Sequence, residues 1–342
     1  MMVDRPTIFD LAKKAGVSVA TVDRVLNRRL PVRADTARRV VAAAEAIGFH
    51  ATELLQSRLT ELPKRRFGFL LQKHDAFYQM FSDELIAATK SAHEIEGKPI
   101  LEFIEEVEPA IIAARIRQLA PKVDALAVVA IDYPQVNEAV EWATAQGTPC
   151  FTLLSGISTY VCAGHLGIDG RRNGRIASWA ISRLARSPGK IGILVGSHRY
   201  LHQELSEISF RTYMREHAPQ FQLMEPIVNL DDDAIAYEAI CKMTKENSDL
   251  VGIYVSGGGQ EGLVRALRER GAAPKIVAVC NELTAVTREA LHDGVVDVSL
   301  GTPIATISIR LVEMMIKAAA VPDGPRLAPL LLPPDILISE NI

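Results

Sequence analysis

The sequence predicts a small all-α head followed by an α/β body of two doubly wound parallel-sheet lobes. Three observations predict it. Residues 7–50 read as a helix, a glycine turn, a second helix and then a third. After residue 66, short apolar runs alternate with helical stretches in two successive series, the order expected of strands crossed over by helices. Charge divides at the same place: residues 1–66 hold 13 Lys and Arg against 7 Asp and Glu, a net +6, and the remaining 25 against 34 give a net −9. A basic head on an acidic body suits a chain whose head alone meets a polyanion.

In the head, Thr7 with Asp10 three residues on makes a capping-box start, and Ile8, Leu11, Ala12 and Ala15 line one helical face. Gly16 ends that helix. Ser18 can accept from the free N–H groups of a second helix over 19–26, whose apolar side is Val22, Val25 and Leu26. A third helix over 36–47 turns Ala37, Val40, Val41, Ala44 and Ile47 inward and stops at Gly48. The second helix of a helix-turn-helix enters the major groove. Here its first turns offer Val19, Ala20, Thr21, Asp23 and Arg24. Arg24 can donate two bonds to a guanine edge, Thr21 and Asn27 suit phosphate oxygens, and Val19 and Ala20 reach only thymine methyls.

Residues 6–50 resemble the N-terminal domain of the lactose-repressor (LacI) family of bacterial transcription regulators, through D-L-A-x-x-A-G-V-S-x-x-T-V, R-V-L-N and V-R-x-x-T. The resemblance implies DNA contacts from Thr7, Ser18, Val19, Ala20, Thr21, Asp23, Arg24, Asn27, Arg28 and Arg58, and a homodimer on a near-palindromic operator. It also implies a hinge in 51–65, which wedges a leucine into the minor groove in that family. This chain departs from the pattern: Arg58 stands at the wedge position beside Leu59, and Ala51-Thr52 replaces the usual Pro-Asn. Asp23 stands where serine is usual, with Arg28 the neighbour able to neutralise it, and Arg33 replaces a capping serine.

In the body, buried strands are predicted at 67–71, 100–104, 125–131 and 150–154, with helices at 81–94, 110–119 and 135–146. The second series has strands at 191–195, 222–228, 251–255 and 276–280, with helices at 204–217, 233–245, 261–270 and 284–292. A last strand at 295–300 and a helix at 304–319 follow. The domains expected are a head at 1–50, a hinge at 51–65 and a body at 66–342. Its first lobe takes 66–165 plus 300–325, and its second 166–299 plus 326–342. The order resembles the periplasmic-binding-protein type I fold, through H-D-A-F-Y, G-I-D-G-R-R-N-G-R, the Gly257 region and C-N-E-L-T.

A ligand cleft belongs outside the carboxyl ends of such strands. The candidates there are His74, Asp75, Phe77, Tyr78, Asp132, Ser155 and Asp169 in the first lobe, and His198, Arg199, Glu204, Ser256, Gln260, Asn281 and Glu282 in the second. Phe77 and Tyr78 resemble aromatic residues that stack on a sugar, and equally suit the core of the following helix. The resemblance puts Glu282 where an acid closes on a sugar. It puts Ser206 where an arginine is usual, a loss that Arg171, Arg172 or Arg199 could make good for an anionic effector. The effector expected is a sugar, polyol or sugar acid.

Gly257-Gly-Gly-Gln-Glu-Gly262 is also a literal G-x-G-x-x-G after a strand, with Glu282 ending the next strand. An NAD(H)-binding enzyme or redox sensor is therefore the competing expectation. Asp231, Asp232 and Asp233 read as acids opening a helix. No G-x-S-x-G elbow, P-loop lysine or His pair at metal spacing occurs, and Cys150, Cys162, Cys241 and Cys280 are scattered. The start carries no apolar h-region, and no apolar run is long enough to span a bilayer. A cytoplasmic protein is expected, with no enzyme activity, cofactor, metal or membrane partner.

Overall fold

The computed structural model describes residues 6–27, 32–52, 55, 62–72, 75–271, 275–322 and 324–342. The chain divides into two compact units, Met1–Pro63 and Lys64–Ile342.

In the first unit, α1 (Ile8–Ala15) starts at a complete capping box, in which the Thr7 N–H donates to the Asp10 carboxylate at 2.9 Å. Gly16, left-handed at φ 62°, ends it. The Ser18 hydroxyl accepts the Thr21 N–H at 3.2 Å and so caps α2 (Val19–Asn27). Helix α3 (Ala34–Ile47) begins two residues before the predicted start, without a side-chain cap from Arg33, and ends at left-handed Gly48. Leu11, Ala15, Val22, Val25, Val40 and Ala44 close the core, joined by Phe49 and Leu55. The Arg39 guanidinium donates to the carbonyls of Ala15 at 2.8 Å and Gly16 at 3.3 Å, groups that a helix end otherwise leaves unpaired.

The second unit holds two sheets. The first has the order β12-β5-β4-β3-β1-β2 and is parallel throughout: β1 (Lys64–Gln72), β2 (Glu96–Ile104), β3 (Ala125–Val128), β4 (Cys150–Leu153), β5 (Gly164–Ile168) and β12 (Leu330–Leu332). Along β1, Phe67, Phe69 and Leu71 face α4 (Ala76–Ser91) and α12 (Ile304–Ala320), whereas Leu70 faces α5 (Pro109–Leu119) and α6 (Pro134–Ala145). Helices on both faces are why these strands read as continuous apolar runs.

The second sheet runs β13-β11-β10-β9-β6-β7, with β8 also on β6. It comprises β6 (Lys190–Val195), β7 (Gln222–Leu223), β8 (Ile227–Val228), β9 (Leu250–Val255), β10 (Val277–Asn281), β11 (Val298–Gly301) and an antiparallel β13 (Asp335–Leu337). On one face lie α7 (Gly170–Leu184) and α8 (Leu201–His217), on the other α9 (Asp233–Glu246), α10 (Gln260–Arg270) and α11 (Ala285–His292). The strand predicted at 222–228 is two short pieces because Pro226 between them has no N–H for the ladder.

The chain passes between the lobes three times: at Asp169, at Thr302-Pro303 and at Pro333-Pro334. The third passage corrects the expectation that 326–342 belongs wholly to the second lobe, since β12 is the edge strand of the first sheet. Strand β5 and helix α7 are additions to the predicted series. Both contain glycines, and in α7 one of them has a packing role. A Cβ at Gly174 would meet the Ser206 carbonyl oxygen well inside van der Waals contact, so α7 and α8 approach this closely only with glycine there.

Gly174→Ala tests this with opposed signs: helix propensity favours alanine by about 1 kcal/mol, while overpacking costs about 1–3 kcal/mol. The clash with backbone cannot relax through a side chain, so the variant unfolds at lower temperature by thermal circular dichroism.

Candidate functional site

The head presents one face of α2. Arg24 and Ala20 are exposed and Val19 is half-buried against the core, so Val19 is held mainly by packing. The Thr21 hydroxyl lies 2.9 Å from that of Ser18. The Asn27 amide donates to the Asp23 carboxylate at 2.7 Å, so Asp23 has a partner on its own helix one turn away. Arg28 and Arg58, the remaining basic candidates, lie outside the described residues, and Thr7 is engaged in the cap.

The body carries a cleft between the lobes, a cavity of about 250 Å³ at the carboxyl ends of both sheets. From the first lobe come Gln72, Asp75, Phe77, Tyr78, Val107, Val129, Leu154, Ser155 and Ile168. From the second come Tyr200, His202, Gln203, Leu230, Asp231, Asp233, the segment 256–261, Asn281, Glu282, Thr284 and Thr302. Three hydrogen bonds join the lobes through one segment: Tyr200 Oη donates to Gln72 Oε1, the His202 N–H to Ser155 Oγ at 3.4 Å, and the Asp132 N–H to the Arg199 carbonyl at 3.1 Å. The Tyr200 ring is buried in the first lobe's apolar cluster although the residue heads a helix of the second.

Several groups face the cavity with capacity to spare. Burial holds the His202 imidazole down to about 4, neutral, and its Nε2 finds no partner among the described residues. Ser256 Oγ is likewise buried without one. The Glu282 carboxylate accepts from the Thr302 N–H at 2.9 Å and hydroxyl at 2.6 Å, yet desolvation outweighs both bonds and, with Asp75 nearby, pushes its carboxyl up to about 7. Asn281 is set by Asn173, whose buried amide donates to Asn281 Oδ1 and Tyr254 Oη, both at 3.2 Å. All four non-glycine residues with positive φ among the described residues line this cleft: Leu154, Leu230, Asp231 and Glu282.

Two family models match the chain: periplasmic binding protein domain over residues 72–321, and bacterial regulatory proteins, lacI family, over 7–51. The chain belongs to the periplasmic binding protein domain family, with a lacI-family regulatory head. It is similar to the HTH-type transcriptional regulator GalR of Streptococcus thermophilus, 22% identical over 96% of this chain and 95% of that protein. It is also similar to the HTH-type transcriptional regulator GalS of Salmonella typhimurium, 38% identical over 21% of each chain. Among solved structures, a solute-binding protein of Burkholderia graminis in complex with D-arabinose superposes with a TM-score of 0.76 at 15% identity, over 82% of this chain and 98% of that one.

This lacI-headed chain is thus a DNA-binding transcription regulator with a periplasmic-binding body. Of the residues singled out in that body, Asp75, Phe77, Tyr78, Ser155, Ser256, Gln260, Asn281 and Glu282 meet in the cleft. Phe77 and Tyr78 satisfy both readings at once, lining the cavity while packing on the first lobe's core. His74 lies outside the described residues.

Asp132, Asp169, His198, Arg199 and Glu204 are not in the lining. Asp132 accepts from the Ser158 N–H at 2.8 Å, the Ser158 hydroxyl and the Asn137 amide, which together hold its carboxyl below the usual range despite burial. Asp169 caps α7, accepting from the Arg171 and Arg172 N–H groups. His198 lies 3.4 Å from Glu207, and the Arg199 guanidinium sits over the Tyr133 ring. Polar groups at strand ends were captured by nearer partners in the chain.

The dinucleotide expectation for Gly257–Gly262 meets a direct obstacle. Asp231 Oδ1 accepts the Gly258 N–H at 2.6 Å, and Asp233 Oδ1 accepts those of Glu261 and Gly262 at 3.0 and 3.2 Å. The N–H groups that would cradle a pyrophosphate already hold two of the chain's own carboxylates, and a third charge would be repelled.

The Glu282 carboxyl makes a pH prediction. Folded, it keeps its proton up to about 7, whereas its ordinary value is 4.5. The folded state therefore binds more protons between those values, and stability falls as pH rises through that window. In urea unfolding from pH 5 to 8, Glu282→Gln gains on the native chain as pH rises; a pH-independent difference contradicts the assignment.

Proposed function

We propose that this regulator is a homodimeric repressor of a carbohydrate-use operon, working in the cytoplasm on a near-palindromic operator and controlled by a sugar or polyol bound between the lobes. The observation that carries the reading is the pairing of an exposed Arg24 on a capped helix-turn-helix with a two-lobed cleft lined by buried polar groups in the same chain. Support comes also from a regulator it resembles over nearly its whole length and from the D-arabinose held by a structural neighbour.

In this reading hydroxyl groups meet His202, Ser256, Gln260, Asn281 and Glu282, with Phe77 and Tyr78 against the ring. A sugar acid is disfavoured, because the described lining carries Asp75, Asp231, Asp233, Glu261 and Glu282 and no Arg or Lys. An effector that contacts both lobes binds one lobe arrangement more tightly, and that difference is the free energy available to change operator affinity. In the head, Arg24 reads a base edge, and Asn27, whose amide is bonded to Asp23, meets a phosphate.

A mobility-shift assay on the gene's own upstream region shows specific retardation at moderate salt; its absence overturns the regulator reading. Arg24→Ala loses about 1–3 kcal/mol of preference for operator over random DNA, whereas Asn27→Ala weakens both more evenly. Equal effects of the two would show that base reader and phosphate holder are misassigned. A thermal-shift panel of neutral sugars and polyols against their acids and phosphates finds stabilisation among the neutral compounds.

A further inference from the structure

Leu230 is kept in a conformation that leucine resists, with its side chain in the open. Its φ of 55° and the 54° of Asp231 make two consecutive left-handed residues, each costing an L side chain about 1–2 kcal/mol where glycine or asparagine would serve. Asp231 has a reason to be there, because its carboxylate holds the Gly258 N–H. Leu230 has none among the described residues. Its N–H bonds the Gly196 carbonyl at 3.0 Å, but its side chain is 66% exposed and joins none of the buried apolar clusters.

Val107 of the first lobe, also in the lining, is 40% exposed and stands alone among the exposed acids Glu105, Glu106 and Glu108. A single exposed apolar residue is ordinary. Two, one from each lobe, lining the same cavity as the buried polar groups Gln72, Ser256 and Asn281, make an amphipathic cleft.

We propose that Val107 and Leu230 form an apolar subsite of the cleft, and that the effector is a glycoside: a hydroxylated ring on the polar groups and an apolar aglycone between these two side chains. The proposal rests on the sugar reading above and adds the class of sugar. It also gives the aglycone a mechanical part, because a group touching both residues ties one lobe to the other.

The experiment is calorimetric titration with matched sets of a free aldose and its methyl and phenyl glycosides, both anomers, built on several pentoses and hexoses. A phenyl glycoside binds about tenfold tighter than its parent sugar, the gain expected from covering roughly 50 Å² of apolar surface. Leu230→Asn, whose side chain tolerates the left-handed backbone, brings the two affinities within about twofold of each other. Val107→Thr, on an exposed loop where folding is not at risk, reduces the ratio in the same direction. A parent sugar that binds as tightly as its glycosides overturns the proposal and leaves the sugar reading standing, as does a ratio that survives both substitutions. A chain that binds neither sugars nor glycosides overturns the sugar reading, and the proposal with it.

Discussion

Three consecutive aspartates shape the second lobe's wall, each by closing a different gap in the backbone. Asp232 accepts the Ala234 and Ile235 N–H groups and starts α9. Asp233 reaches across to the first N–H groups of α10, and Asp231 to Gly258 in the turn before it. Hydrogen bonds to a carboxylate are worth about 1.5–3 kcal/mol each. The Asn229 amide adds a bond to the Gly258 carbonyl at 2.8 Å. The turn after β9 is therefore clamped from both sides, and Ser256 and Gln260, on either side of it, have fixed positions before any effector arrives. Prepaid order of this kind is what lets a small ligand bind without ordering its own site.

The lobes meet at the cleft proposed for the effector. The segment from Arg199 to His202 belongs to the second lobe but bonds Asp132, Gln72 and Ser155 of the first. Gln72 in turn donates to the Val129 carbonyl at 3.1 Å, so the Tyr200 bond is anchored in the first sheet itself. Each such bond contributes about 0.5–1.5 kcal/mol net, and burying the Tyr200 ring adds apolar area. These bonds give this arrangement of the lobes an intrinsic stability of about the few kcal/mol that separates interconverting states. A ligand needs only a modest preference to shift it, and it acts on the groups that hold the lobes together.

What the sequence reveals follows from how local each determinant is. The three helices of the head were legible because Thr7, Gly16, Ser18 and Gly48 act on their own neighbours, and the apolar period does the rest. The strand-end rule located the cleft, because topology alone decides where side chains converge. It could not separate residues that face a ligand from those, such as Asp132 and Asp169, that a nearby N–H satisfies first. Tyr200, His202 and Gln203 went unread because α8 begins three residues before its apolar pattern does, and only the passages between lobes bring that first turn to the cavity. Asp231 was hidden by its neighbours, since three acids before a helix already have an adequate local cause. The role of Asn173 could not have been found at all, as its partners are 81 and 108 residues away.

The head and the cleft differ in how they treat backbone preference. The turns that end α1 and α3 need positive φ and use Gly16 and Gly48. The cleft uses glycine for it at Gly259, but at four further places it uses Leu154, Leu230, Asp231 and Glu282. Each costs stability that glycine would restore, so these side chains are retained for what they place in the cavity. Glu282 shows the logic most directly. Its left-handed backbone turns the carboxylate toward Thr302, at the second passage between lobes, and sets it in surroundings dry enough to hold its proton near neutrality. A group so placed senses both the cavity and the connection between lobes, which is the position from which occupancy of one can bias the other.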